Sequence, residues 1–145
     1  MEKDTTADEK AKLADLQKKL AVYQQSIKKN KIPIIIILEG WGASGKGNVI
    51  SGIIKELDPR GFKVYTTGES NEEEKKFPLL RRFWTKIPLY GNISIFDRSW
   101  YRDVSISAVE DGLSENEVNH RLRDISVMEK ILTDDGYLII KIFLN

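Results

Sequence analysis

Apolar residues recur along the chain at intervals of three and four near its beginning and in short unbroken runs later, which distinguishes helices from strands. The first pattern predicts an amphipathic helix over about residues 5–29. We expect its apolar stripe to pack on the core of the protein; the alternative is a helix that forms a dimer. Residues 1–31 are therefore set apart as an N-terminal amphipathic helix, ahead of a core over residues 32–145. The stripe consists of Leu13, Leu16, Leu20, Tyr23 and Ile27.

Four short apolar runs predict strands, at residues 34–38, 62–67, 93–96 and 137–144. The first is apolar on both faces, so we expect it to lie centrally in a parallel sheet. Helices are predicted between the strands, because strands that alternate with helices indicate a doubly wound α/β fold. The predicted helices cover about 46–57, 72–84 with a kink or break at Pro78, a segment from Ser99, and a segment from the capping box Ser114-x-x-Glu117 to about Leu132.

The last predicted strand ends the sequence at Asn145. A complete α/β domain would normally cover that strand with another helix, so we expect a core that is truncated at its C-terminus.

Composition narrows the classes of protein that the chain can represent. Its 145 residues suggest one domain, and 23 Lys+Arg against 22 Asp+Glu leave a net charge of +1, which is not the footprint of a nucleic-acid-binding protein. There is no cysteine, no apolar leader at the N-terminus and no apolar run long enough to span a bilayer. We therefore expect a cytoplasmic protein that binds neither nucleic acid nor membrane.

A glycine-rich loop, Gly40-x-x-x-x-Gly45-Lys46, follows directly on the first strand. Such a loop between a strand and a helix cradles phosphates with backbone N–H groups, and its lysine contacts the outer phosphates. The usual Ser or Thr after the lysine is Gly47 here, which cannot hold a metal through a side chain. Glu39 either orients Lys46 or a metal-bound water, or forms a structural ion pair. The candidate phosphate ligands are Gly40, Gly42, Ala43, Ser44, Gly45, Lys46 and Gly47.

The third strand ends in Asp97-Arg98. A carboxylate at this place in a protein with a phosphate loop holds Mg²⁺, directly or through water, so Asp97 is the candidate metal ligand. The planar guanidinium of Arg98 suits the charge that develops during phosphoryl transfer. Trp100 and Tyr101 are expected to pack rather than to contact a ligand.

A basic and aromatic cluster, Arg81-Arg82-Phe83-Trp84, is open to two interpretations. The arginines hold a polyanion or a base, or they occupy the exposed face of a helix. His120 is expected to be a solvated surface residue.

These motifs together resemble the type-2 polyphosphate kinases. Residues 39–47, Glu-Gly-Trp-Gly-Ala-Ser-Gly-Lys-Gly, are similar to the family's E-G-x-D-A-x-G-K-G loop, with Gly42 in place of its Asp. Residues 96–101, Phe-Asp-Arg-Ser-Trp-Tyr, are similar to its F-[DN]-R-S-[WH]-Y motif. Shorter matches follow in the same order, including a helix over Arg121…Glu129, and the likeness spans roughly residues 10–145. Arg81 replaces a family tryptophan.

The resemblance implies a P-loop kinase-like, three-layer αβα fold with a parallel sheet, and Mg²⁺-dependent transfer of the terminal phosphoryl group between inorganic polyphosphate and AMP, ADP, ATP or guanine nucleotides. It implies that Lys46, Asp97 and Arg98 are catalytic, that Arg82 neutralises phosphate charge, and that Arg81 and Arg121 support the site. Two alternatives stay open: a catalytically impaired binding half of a larger tandem enzyme, which Gly42 favours, and an ATP-dependent nucleotide kinase. We also expect a homo-oligomer.

Overall fold

One four-stranded sheet with helices on both faces organises the chain. The computed structural model describes residues 2–145, and their side chains from Thr6 onward. Two 3₁₀ turns, Pro59–Gly61 and Glu74–Lys76, join longer elements. The helices are α1 (Glu2–Lys29), α2 (Lys46–Ile54), α3 (Arg81–Trp84), α4 (Trp100–Glu110) and α5 (Glu115–Asp134), and the strands are β1 (Ile34–Gly40), β2 (Phe62–Thr66), β3 (Ile93–Asp97) and β4 (Leu138–Leu144).

The sheet is parallel throughout, in the order β2-β3-β1-β4. Ile34 is in register with Ile93 on one side and with Leu138 on the other, so β1 is an internal strand. This confirms the prediction of a central parallel strand. The carboxyl ends of β1 and β3 therefore lie side by side, which brings the glycine-rich loop next to Asp97.

Two apolar layers cover the two faces of the sheet, which confirms the three-layer αβα prediction. On one face, residues of α4 and α5 pack on Ile35, Ile37 and Phe96 of the sheet. On the other face, residues of α2 and the end of α1 pack on Leu38 and Ile95. Successive strand residues point to opposite faces, so the continuous isoleucine run of β1 contributes to both layers.

Helix α1 packs on the core with a face that neighbours the predicted stripe and shares only Ile27 with it. Leu16 of the apolar stripe is 57% exposed, and Leu13, Leu20 and Tyr23 are exposed as well; only Ile27 contacts the core. The buried positions are Gln17 and Gln24. The expectation that the stripe packs on the core is therefore wrong, while the dimer alternative stays a prediction.

The glutamines are inside because they hydrogen-bond backbone groups of the core. Gln17 Nε2 donates to the carbonyl of Gly52 at 3.0 Å. Gln24 Nε2 donates to the carbonyl of Asp58 at 2.9 Å, and its Oε1 accepts from the Asp58 backbone N–H at 2.7 Å. Buried amides satisfied in this way avoid the desolvation penalty that usually keeps glutamine outside.

The break predicted at Pro78 is confirmed, but the segment 72–84 contains much less helix than predicted. The segment forms a 3₁₀ turn at Glu74–Lys76 and a single turn of α3, separated at Pro78, because proline removes a helix hydrogen bond and clashes with the preceding turn. Helix α2 ends at Ile54, three residues before the predicted Leu57. The capping box that opens α5 is confirmed, with Ser114 and Glu117 bonded to each other's backbone N–H. None of the helices within residues 2–145 is long and apolar enough to cross a membrane.

Candidate functional site

The glycine-rich loop turns sharply between β1 and α2, at two positions where only glycine fits well. Gly40 has φ +145°, and a Cβ atom there would lie 2.2 Å from the carbonyl oxygen of Leu144 on the neighbouring strand. Gly45 adopts a left-handed conformation, with φ +88°, directly before α2. These two glycines aim the backbone N–H groups at the start of α2 outward, where the helix dipole favours an anion.

Lys46 is folded into this loop and is only 5% exposed. Its Nζ donates to the carbonyl oxygens of Gly40 and Trp41, both at 2.8 Å, and to Ser44 Oγ at 3.3 Å. The ammonium therefore stiffens the loop from within. Contact with an outer phosphate requires it to exchange some of these acceptors for phosphate oxygens.

A cavity of about 500 Å³ lies in front of the loop and brings the main predicted residues together. Asp97 and Arg98 from the end of β3 form one wall, and the loop and the first turn of α2 form the other. We call it the phosphate pocket. It is lined by Gly42, Ala43, Gly45, Lys46, Gly47, Asn48, Thr66, Asp97 and Arg98.

Arg98 lies at the mouth of the phosphate pocket with an unusual backbone. Its φ is +66°, a left-handed conformation that costs a non-glycine residue about 1–2 kcal/mol. Its backbone N–H donates to the carbonyl of Leu38 at 2.9 Å, which secures the turn against β1. Among the described side chains, none forms an ion pair or hydrogen bond with its guanidinium. The cation is thus held in a strained position and is free to meet an anion.

Glu39 contacts Ser99, and its expected role toward a metal-bound water stays a prediction. Its Oε1 accepts hydrogen bonds from the backbone N–H and the Oγ of Ser99, both at 2.7 Å. Ser99 is buried and caps α4, where its Oγ accepts from the Tyr101 backbone N–H. Glu39 therefore joins the end of β1 to the residue after Arg98, and among the described side chains it forms neither an ion pair nor a hydrogen bond with Lys46.

Arg82, which was expected to neutralise phosphate charge, does not line the phosphate pocket. It is buried and donates to Asp103 Oδ2 at 3.2 Å and to Ser70 Oγ at 3.0 Å, and it lies 3.4 Å from a carboxylate oxygen of Glu74. Two carboxylates already neutralise its charge. The guanidinium is a structural anchor that joins the segment before α3 to α4.

The two arginines expected to support the site also lie elsewhere. The guanidinium of Arg81 stacks on the Phe77 ring, with its central carbon 3.7 Å from the centroid, on an exposed surface. Arg121 is half-buried on α5 and does not line the phosphate pocket. His120 is exposed and lies 3.7 Å from Asp124, as expected of a surface residue.

A polar cluster behind the site explains Trp100 and Tyr101, which pack as predicted. The Tyr101 hydroxyl and Trp100 Nε1 both donate to Glu129, and Lys141 Nζ donates to Glu129 Oε2 at 2.5 Å and to the Tyr101 oxygen at 2.8 Å. Burial, and then the hydrogen bond to Glu129, raise the pKa of Tyr101. Burial lowers the pKa of Lys141, but the bonds to Glu129 and Tyr101 outweigh it, so the net shift is upward.

Two lining residues were missed by the sequence analysis. Thr66 ends β2, and Asn48 lies in the first turn of α2. The rule that ligands bind at the carboxyl ends of parallel strands would have identified Thr66. No group of three or more His, Cys, Asp or Glu side chains that could hold a metal occurs among the described residues.

The fold and the glycine-rich loop are those of an α/β protein of the P-loop class. The family model for polyphosphate kinase 2 matches residues 3–145. The chain therefore belongs to the polyphosphate kinase 2 family.

Individual relatives agree with this assignment. The chain is 35% identical, over 77% of its length, to a polyphosphate:AMP phosphotransferase of Pseudomonas syringae pv. tomato, and covers 22% of that protein. It is 33% identical, over 92% of its length, to ADP-polyphosphate phosphotransferase 3 of Rhizobium meliloti, and covers 47% of it. The crystal structure of polyphosphate kinase 2 from Arthrobacter aurescens TC1 superposes with a TM-score of 0.91 at 31% identity, over 96% of this chain and 51% of that one. The chain thus spans about half or less of these relatives.

Proposed function

We propose that this chain transfers the terminal phosphoryl group between inorganic polyphosphate and a nucleoside mono- or diphosphate. The observation that carries the proposal is the phosphate pocket, in which Lys46, Asp97 and Arg98 line one cavity of about 500 Å³. In the transfer, the bond between the terminal phosphorus and its bridging oxygen breaks, and a bond to a phosphate oxygen of the nucleotide forms. Family membership and the names of the relatives support the same chemistry.

Lys46 and Arg98 have distinct roles in this proposal. The loop N–H groups and Lys46 hold one phosphate chain in place. Arg98, whose guanidinium has no partner among the described residues, neutralises charge on the oxygens of the transferred group. No covalent intermediate on the protein is needed, because positioning and charge neutralisation supply most of the catalysis of phosphoryl transfer.

The donor chemistry of the phosphate pocket suits Mg²⁺. The Asp97 carboxylate is a hard oxygen donor without a cationic partner among the described side chains, and Mg²⁺ is commonly bound by one or two carboxylates together with substrate phosphates. Bound there, Mg²⁺ would neutralise charge on both phosphate groups. Asp97 would hold it at the pocket wall, and Gly47 would leave the usual hydroxyl position to a water.

The test is a transfer assay with Mg²⁺ and long-chain polyphosphate, in which AMP, ADP and GDP are supplied in turn and products are separated by chromatography. We expect nucleotide products from the wild type and a loss of about 100-fold or more in Lys46→Ala. A parallel assay with ATP as donor tests the ATP-dependent kinase alternative. Transfer from ATP but not from polyphosphate would contradict the proposal.

The second candidate, a binding half with impaired catalysis, is favoured by Gly42. A Cβ atom at Gly42 would lie 3.7 Å from Arg98 Nη2 and meets nothing closer, and the residue has no positive φ. An aspartate therefore fits at this position, beside an unpaired cation in the phosphate pocket. Its absence removes a carboxylate that the family motif carries.

Gly42→Asp separates the two candidates. An impaired half should gain transfer activity strongly, by about 100-fold, whereas an active enzyme that works without this carboxylate should change little or lose activity as Arg98 becomes paired. Gly68→Asp is the matched control, since Gly68 also has open space for a Cβ and lies outside the phosphate pocket.

A further inference from the structure

A second cavity of about 320 Å³ adjoins the phosphate pocket. The two cavities share Gly42 and Arg98, so a ligand can extend from one into the other past the guanidinium. Unlike the phosphate pocket, its walls include large apolar side chains, namely Trp41, Ile106 and Phe143. We call it the stacking cavity.

Two of these side chains are exposed although they are aromatic. Trp41 is 78% exposed and Phe143 is 69% exposed, whereas Phe96 and Trp100 are fully buried. They come from adjacent strand ends: β1 and β4 pair Glu39 with Phe143, and Trp41 follows two residues after Glu39. Single exposed apolar residues are common, but two aromatic rings at the rim of one cavity beside an anion site are a surface that fits a flat ligand.

We propose that the stacking cavity holds the nucleoside part of the nucleotide, with its base stacked on Trp41 and its phosphates directed past Arg98 into the phosphate pocket. This inference rests on the proposed function. A nucleobase offers a π face to an aromatic side chain, and such stacking contributes measurably to binding whatever the base. Polyphosphate has no such face, so Trp41 distinguishes the nucleotide from the polyphosphate.

The size and the charge of the two cavities favour this occupant. A volume of about 320 Å³ lies within the range of small-molecule sites, and an apolar cavity that opens onto a cationic one matches a ligand with an apolar and an anionic end. Arg98 stands at the boundary, where the first phosphate of the nucleotide would pass.

The test compares AMP with ribose 5-phosphate, which lacks the base, and with long-chain polyphosphate, by calorimetry on the wild type, Trp41→Phe and Trp41→Ala. We expect Trp41→Ala to raise the Kd for AMP about tenfold, Trp41→Phe to raise it much less because a ring remains, and neither to change the Kd for polyphosphate. The advantage of AMP over ribose 5-phosphate should disappear in Trp41→Ala. Trp84→Ala is the matched control, since Trp84 is 41% exposed and lines neither cavity.

Several results would overturn the inference. They are an unchanged ratio of AMP to ribose 5-phosphate affinity, an equal loss of polyphosphate binding, or a wild type that binds no nucleotide. A lower melting temperature in Trp41→Ala with unchanged AMP affinity would show that Trp41 packs on polypeptide instead. Trp41-dependent binding of AMP without phosphoryl transfer would support the stacking cavity while contradicting the proposed function, so the two can fail separately.

Discussion

The hydrogen bonds between Glu39 and Ser99 predict how much stability the protein loses when Glu39 is replaced. Glu39→Ala removes the acceptor of two hydrogen bonds, both 2.7 Å long, that Ser99 donates. Ser99 is fully buried. The Ser99 N–H and Oγ then lose a charged acceptor at the start of α4. Because Ser99 follows Arg98, whose backbone is strained, the turn that presents the guanidinium should loosen with it.

The magnitude follows from the number and environment of these bonds. A buried donor left without a partner costs about 1–3 kcal/mol, and Glu39 is half-buried at the rim of the stacking cavity, where water can replace part of the loss. The lower end of the range, about 1 kcal/mol for each of two donors, predicts a loss of about 2 kcal/mol. For a chain of this size that corresponds to a fall of about 7 °C in melting temperature.

Urea unfolding and thermal unfolding measure this loss. Glu39→Gln is the control, because its amide oxygen still accepts from Ser99 and only the charge is lost, which should cost about half as much or less. An unchanged m-value would show that the difference lies in stability rather than in the extent of unfolding. The reasoning would be refuted if Glu39→Ala stayed within about 0.5 kcal/mol of the wild type, or if alanine and glutamine were equivalent.

Three further predictions concern residues away from the phosphate pocket. Arg82→Met should destabilise the protein by about 1–3 kcal/mol in urea unfolding, because it removes one of the two arginines that pair with the buried carboxylate of Asp103 while Arg102 stays at 3.1 Å; an effect below about 0.5 kcal/mol would contradict the anchor role. Because the pKa of Tyr101 is raised in the folded protein, the stability that its hydroxyl contributes is fully present below pH 10.0 and is lost as the pH rises above that value. The free energy of unfolding of Tyr101→Phe should therefore fall less than that of the wild type as the pH is raised. The pKa of Glu117 is lowered by its bond to the Ser114 backbone, so its contribution is present above 4.5 and is lost as pH falls below it; Glu117→Gln should flatten the acid limb of the stability profile, and equal slopes would count against the capping box.

The layered fold was predictable because its strongest signals are local and agree with the tertiary structure. The isoleucine run of β1 predicts a strand buried on both faces, and the structure confirms that prediction. The pairing of Ser114 with Glu117 marked the start of α5 to the residue. Such signals need no knowledge of what the segment contacts.

The orientation of α1 was not predictable from hydrophobicity, since its burial depends on hydrogen bonds. Gln17 and Gln24 face the core because carbonyl and N–H groups of distant segments meet them there. A prediction based on the spacing of apolar residues treats glutamine as an exposed residue, whether or not its amide finds hydrogen-bond partners in the core. The break at Pro78, by contrast, was predictable, because the steric rule for proline is local and depends only on the sequence.

The candidate site was partly predictable for a topological reason. Lys46 and Asp97 follow two strands that prove to be neighbours, and parallel neighbours bring their carboxyl ends together. The bond from Glu39 to Ser99 joins residues 60 positions apart and depends on the detailed packing of the two strand ends. The role of Arg82 could not be predicted, because the sequence does not distinguish an arginine that binds phosphate from one that pairs with two carboxylates.

The left-handed backbone of Arg98 sets stability against function at one position. Glycine would adopt φ +66° without the penalty of about 1–2 kcal/mol that arginine incurs, and the guanidinium forms no described contact that glycine would forfeit. A procedure that optimised only the stability of this protein would therefore replace Arg98 with glycine and remove the one cation that both cavities share. Engineering of thermostable variants should keep position 98 fixed and seek its gains elsewhere, for example on the exposed face of α1.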